Sequence, residues 1–190
     1  MGGREVGGLA NMLACHLDIE NADHRAAVHA FWESPRMAAA PGMKAVEMFE
    51  AVGQEYWDTF AERVARLLKP DGMAGLQVIT IDEQAFDAYR ARPDFIQQYV
   101  FPGGMLPTVT HLRELFARHG LRVADLYRFG QDYATTLRMW RERFAANWQS
   151  ICEEGFDERF FRMWNYYLAY CEAAFRVGRT DVVQLRLERI

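Results

Sequence analysis

Glu47 and Glu50 lie three residues apart in the stretch Glu47-Met48-Phe49-Glu50-Ala51-Val52-Gly53. A carboxylate of either kind accepts hydrogen bonds and can hold a hydroxyl proton. Read on its own residues, Glu50 is a glutamate near a helix start, where the helix dipole favours negative charge. Tyr133 offers a hydroxyl that needs a partner if it is buried, and it also heads an apolar stripe with Leu137 and Trp140. Gln77 can donate and accept hydrogen bonds but cannot titrate. Ile79, two residues further on, reads as an ordinary buried strand isoleucine. Cys15, Cys152 and Cys171 have no metal-type spacing, and an odd count without a secretion signal points to reduced thiols in the cytosol. Gly2-Gly3 and Gly7-Gly8 follow no strand, so neither pair reads as a nucleotide-binding loop.

The elements that must position these side chains are clearest from Gln54 onward. Trp57, Phe60, Val64, Leu67 and Leu68 recur at helical spacing. Lys69-Pro70-Asp71-Gly72 stops that helix with turn chemistry. Met73 to Ile81 is apolar and β-branched, which predicts a strand carrying Gln77 and Ile79. Asp82 to Tyr99 reads as two short helices broken at Pro93, and Phe101 to Pro107 as a loop. A helix is expected from His111 to His119 with Gly120 as its cap, then a strand from Leu121 to Phe129. Tyr133, Leu137, Trp140, Phe144 and Trp148 form an aromatic helical stripe. Asp157 can cap a last helix with Phe160, Trp164, Tyr167, Leu168, Cys171 and Phe175 inward and Gly178 at its end. Val182 to Glu188 alternates as a half-buried strand does. The order matches the second half of a Rossmann-like methyltransferase sheet, with helices inserted before the final strand.

Composition bounds the function. The chain has 190 residues, 51% of them hydrophobic and 25% charged, enough for one domain of roughly 100–200 residues with a real core. The net charge of −4 and the lack of a basic stripe argue against a nucleic-acid partner. No apolar run reaches membrane-spanning length, and Met1 to Glu5 lacks the order of a signal peptide. Aromatic residues make up 14%, which suits a well-filled core or a pocket for a long apolar ligand. Residues 1–44 show poor periodicity, with one short helix expected from Asp23 to Trp32 and interruptions at Pro35 and Pro41.

Four stretches, in order, resemble the cyclopropane-fatty-acyl-phospholipid synthase (mycolic acid cyclopropane synthase-like) family. They are Glu47 to Gly53, Leu76-Gln77-Val78-Ile79-Thr80-Ile81-Asp82, Phe95 to Gly104, and Gly130-Gln131-Asp132-Tyr133 with Thr136-Leu137 and the downstream Arg162 to Leu168. The resemblance covers about three quarters of the chain and concerns the C-terminal half of the family domain. Residues 1–44 are left unassigned, and residues 45–190 are expected to be that C-terminal half.

What the resemblance implies is specific. The fold would be α/β: a partial Rossmann-like class I S-adenosylmethionine-dependent methyltransferase fold without its first strands and cofactor loop, with aromatic-rich C-terminal helices. The activity would be methyl transfer from S-adenosylmethionine to a cis double bond of a phospholipid acyl chain, with a carbocation shielded from water by an aromatic pocket. Glu50 and Tyr133 would be catalytic. Glu50, Gln77, Ile79 and Tyr133 would hold a bicarbonate that takes up the departing proton. Gln77 stands where many members carry histidine, and Glu47 receives no role. S-adenosylmethionine and bicarbonate are the implied cofactors, although no glycine-rich loop is present to bind the first. The chain is therefore expected to be a truncated or frameshifted, inactive form whose family-like reading resumes near Val46. A non-catalytic lipid-binding remnant or another class I methyltransferase is the alternative. Expected partners are phospholipid acyl chains at a peripheral membrane contact, and a second copy or partner covering an exposed sheet edge. The expected location is cytoplasmic, at the inner face of the membrane.

Overall fold

The computed structural model of the chain describes residues 43–190. The expectations for Asp23 to Trp32, the early glycine pairs and Cys15 lie outside the described residues. Four strands form one sheet in the order β1-β2-β4-β3. They are β1 (Met43–Val46), β2 (Met73–Ile81), β3 (Leu121–Arg128) and β4 (Thr180–Arg189). β1 pairs with β2 in parallel, whereas β4 runs antiparallel to both β2 and β3. This is the half-sheet that the element order anticipates, with the last strand inserted between β2 and β3.

Two of the expectations need correction. β4 is not half-buried: Val182, Val183, Gln184, Leu185 and Leu187 are all fully buried, because an inserted central strand is covered on both faces. Its alternation of Gln184 and Arg186 with apolar residues suggested one wet face. Gln184 stays dry because it pairs with Gln77 directly opposite on β2. Leu67 is exposed rather than inward. It is the last residue of α1 (Trp57–Leu67), where the buried stripe is Trp57, Ala61 and Val64.

Helices cover both faces. On one side α1 packs with α2 (Phe86–Ala91) and α3 (Val109–Arg118) over Leu76, Val78, Leu185 and Leu187. Thr108 caps α3 by accepting from the His111 N–H. On the other side lie α4 (Gly130–Ala146), the short α5 (Trp148–Glu153) and α6 (Glu158–Arg176). Tyr133, Leu137, Trp164, Leu168 and Phe175 from these helices pack on Val182 and Ile79. Asp157 caps α6 as its position predicts, accepting from the Phe160 N–H at 2.8 Å. Pro93 separates α2 from a π-helical turn, Ile96–Val100, and the loop from Phe101 to Pro107 follows.

The seat of α4 decides where Tyr133 points. Asp181 of β4 accepts from the Gly130 N–H at 2.9 Å and from Arg128 at 2.8 Å, so the first amide of the helix is tied to the sheet. A Cβ at Gly130 would come within 2.6 Å of Asp181 Oδ1 and 3.1 Å of its Cα. Gly130→Ala is therefore expected to destabilise the chain by about 1–3 kcal/mol, lowering the urea midpoint while far-UV circular dichroism keeps its native shape. An unchanged midpoint would show that this close approach does not hold α4.

Candidate functional site

β1 stops at Val46 while β2 continues for four more residues to Ile81. The chain must leave the sheet there, and it turns at Glu47, whose φ is 47°. This left-handed region is uncommon for a residue with a side chain. The Glu47 N–H still donates to the Gln77 carbonyl at 2.8 Å, adding a last rung to the parallel ladder. The next N–H of β2 on that edge, at Ile79, has no strand to pair with. Glu50, in the 3-10 turn Phe49–Ala51, supplies its carboxylate in place of a strand carbonyl, and Ile79 donates to Glu50 Oε1. The Glu50 carbonyl in turn accepts from the Met105 N–H at 2.9 Å, which pins the 101–107 loop over the site.

Gln77 and Ile79 alternate onto the same face of β2 as α4. There the Gln77 amide donates to Glu47 Oε1 at 2.6 Å. Its own carbonyl accepts from Gln184 at 2.9 Å, which fixes the amide's orientation. From the helix layer the Tyr133 hydroxyl donates to Glu47 Oε2 at 2.8 Å. All four residues expected at the site are thus brought together, but Gln77 and Tyr133 converge on Glu47, not on Glu50. Sequence analysis assigns Glu47 no role because the resemblance offers none, although the resemblance sets the neighbouring Glu50 at the C-terminal edge of a strand. The visible signal was the pair of carboxylates three residues apart.

The two carboxyls differ in their surroundings. Burial pushes Glu50 up from its ordinary 4.5 to about 8; the Ile79 N–H opposes this and the neighbouring Glu47 charge adds to it. Glu50 Oε2 is buried with no hydrogen-bond partner, as suits a carboxyl that keeps its proton at neutral pH. Burial also raises Glu47, but two side-chain donors, Tyr133 and Gln77, oppose it. Glu47 therefore has two side-chain donors where Glu50 has one backbone donor. Tyr133 is driven well above the usual tyrosine range, first by burial and then by the Glu47 charge beside it, so it remains a donor.

These groups sit in the wall of a cavity of about 410 Å³, within the usual size of a ligand pocket. Most of the wall is apolar and comes from Ile79, Leu137, Trp140, Trp164, Leu168 and Phe175. A second polar spot lies elsewhere on the wall. There Tyr170 donates to Asp94 at 3.0 Å, near Arg179. Cys171 also lines the cavity; burial pushes its thiol up to about 12, which favours the protonated form. Among the described residues no cluster of His, Cys, Asp and Glu could hold a metal ion, and no helix is long and apolar enough to cross a membrane. None of the described glycines forms a Gly-x-Gly turn at a strand end, the usual cradle for a nucleotide cofactor.

Comparison with known proteins places this geometry in context. The family model described as mycolic acid cyclopropane synthetase matches residues 21–185. A tuberculostearic acid methyltransferase of Mycobacterium tuberculosis is 43% identical over 145 residues, 76% of this chain and 34% of that protein. The cyclopropane-fatty-acyl-phospholipid synthase of Escherichia coli is 38% identical over 144 residues, 76% of this chain and 36% of that protein. The chain thus spans about a third of the length of these relatives. Among solved structures, mycolic acid cyclopropane synthase CmaA1 complexed with SAH and CTAB is similar with a TM-score of 0.69 and 28% identity. That match covers 78% of this chain and 55% of the other.

The state of Glu50 has a measurable consequence. Between pH 4.5 and 8 the unfolded chain loses this proton while the folded chain keeps it, so stability falls as pH rises through that window. The whole effect is at most about 5 kcal/mol. Glu50→Gln removes it: in urea unfolding, the variant should gain on the parent chain from pH 5 to pH 8. A constant difference across that range would mean that Glu50 does not hold a raised proton affinity.

Proposed function

The chain belongs to the mycolic acid cyclopropane synthetase family, and from that premise we propose that it is the acyl-binding portion of an S-adenosylmethionine-dependent lipid methyltransferase. Its substrate on this reading is a phospholipid acyl chain with a cis double bond, reached by peripheral contact with a membrane. The observation that carries the reading is the cavity of about 410 Å³, apolar over most of its wall, with two half-buried carboxyls and a buried tyrosine gathered at one spot. Each part answers a need of this chemistry. Apolar walls bind the hydrocarbon, worth about 0.8 kcal/mol per buried methylene. The same walls keep water from a positively charged intermediate, and the faces of Trp140 and Trp164 favour positive charge. The carboxyls lie where a proton must be taken up.

On this reading the methyl donor is held by residues outside the described ones. Residues 45–190 are accordingly read as the substrate-facing half of the family domain. β1 forms one edge of the described sheet, with Val46 and Met48 about half exposed. An unpaired edge of this kind is the natural place for further strands or a second chain.

A fatty acid brominated across its former double bond tests the reading. Trp140 and Trp164 line the cavity, so bromines held there should quench tryptophan fluorescence saturably. Ala174→Phe, which narrows the cavity from α6, should weaken the binding at least tenfold (about 1.4 kcal/mol). Quenching that is absent, or unchanged by Ala174→Phe, would remove the acyl-binding assignment.

A further inference from the structure

By the family resemblance, Tyr133, Gln77, Ile79 and Glu50 surround a bicarbonate. In this chain the Tyr133 hydroxyl, the Ile79 N–H and one N–H of the Gln77 amide are already engaged. Tyr133 and Gln77 donate to the two oxygens of Glu47, at 2.8 and 2.6 Å, and the Ile79 N–H donates to Glu50. Gln77 cannot turn its amide elsewhere without breaking its bond from Gln184 as well. Glu47 is fixed from both ends, since its own N–H donates to the Gln77 carbonyl. A bicarbonate entering this seat would have to displace a carboxylate held by two donors. Otherwise it would sit as a second anion beside Glu47 in a buried site, where like charges repel strongly. The residues present do not fit an added bicarbonate.

We propose that Glu47 is the resident anion of this cavity: its carboxylate fills the seat among Tyr133 and Gln77 that bicarbonate takes by family resemblance, and the chain binds no bicarbonate there. A carboxylate and a bicarbonate offer these partners the same thing, an anionic oxygen that accepts their hydrogen bonds and can take up a proton. The backbone is built for the arrangement. The left-handed turn at Glu47 aims the side chain back over β2 at the point where β1 ends, and the hydroxyl arriving from α4 completes it. Burial raises the proton affinity of Glu47, as a proton acceptor needs, while the hydrogen bonds from Tyr133 and Gln77 oppose that rise. The assignment rests on the family reading for what the seat is, and not on lipid occupying the cavity.

The test is a titration of the full chain with carbon-13 bicarbonate, followed by NMR line broadening. The parent chain should show no saturable binding. Glu47→Gly, which suits the positive φ and empties the seat, should acquire saturable binding, with a dissociation constant at least tenfold below any limit set for the parent. Adding Tyr133→Phe to that variant should weaken the new binding. Glu47→Asn, which also tolerates the left-handed turn and is too short to reach Tyr133, serves if the glycine variant fails to fold. Native near-UV circular dichroism qualifies either one. Saturable binding by the parent overturns the proposal, as does absence of binding in every folded Glu47 variant. No lipid is used, so either result leaves the acyl-binding assignment to stand or fall on its own titration.

Discussion

The hydrogen bond from the Tyr133 hydroxyl to Glu47, 2.8 Å long and partly buried, ties the helical layer of α4 to the end of β1. A carboxylate taken out of water is costly unless its oxygens are satisfied. Much of the surrounding structure can be understood as meeting that condition. β1 must end at Val46 so that Glu47 can turn inward. Gln77 must face the same side of β2 as α4, and Gln184 must stand opposite it to hold its amide. The first amide of α4 must be anchored on Asp181 so that Tyr133, three residues later, arrives over the strand ends. A carboxylate at the edge of an open α/β sheet, beyond the carboxyl ends of parallel strands, is also where such sheets place their ligands.

The pairing of Glu47 with Glu50 gives the cavity two carboxyls in different states. One has two side-chain donors that oppose the effect of burial; the other has a single backbone donor, an unsatisfied oxygen and a pKa raised to about 8. Neighbouring acids separated in this way are a recurrent basis for assigning proton donors and acceptors. Around them the aromatic wall of α4 and α6 does a different task, supplying a dry apolar volume. The same side chains that build the core between the helices and Ile79 also line the cavity, so the question of core or pocket has the answer that one stripe serves both.

Much of this was legible in the sequence. β2 reads from its β-branched run, α3 and α6 from periodicity and from their caps, and Gly120 and Gly178 from their helix ends, both with positive φ. The pattern of β4 misled, because a glutamine that is polar by type was buried against another glutamine, a pairing 107 residues distant that no local pattern carries. β1 has no periodic signal of its own, since four residues are too few to show a period; only the resemblance implies a strand ending before Glu50. The place of Glu47 just past the end of β1 is therefore not visible in local periodicity. The four residues that the resemblance names, Glu50, Gln77, Ile79 and Tyr133, lie together around the end of β1. What it could not supply was which carboxylate each donor meets, a matter of a few ångströms set by one left-handed residue.

Infrared spectroscopy at neutral pH tests the central claim most directly, because a protonated buried carboxyl absorbs apart from an ionised one. The account predicts a carboxylic-acid band in the parent chain that disappears in Glu50→Gln and persists in Glu47→Gln. A band that survives Glu50→Gln and vanishes in Glu47→Gln would contradict it, placing the proton on Glu47 and leaving Tyr133 and Gln77 without the anion they are arranged to hold.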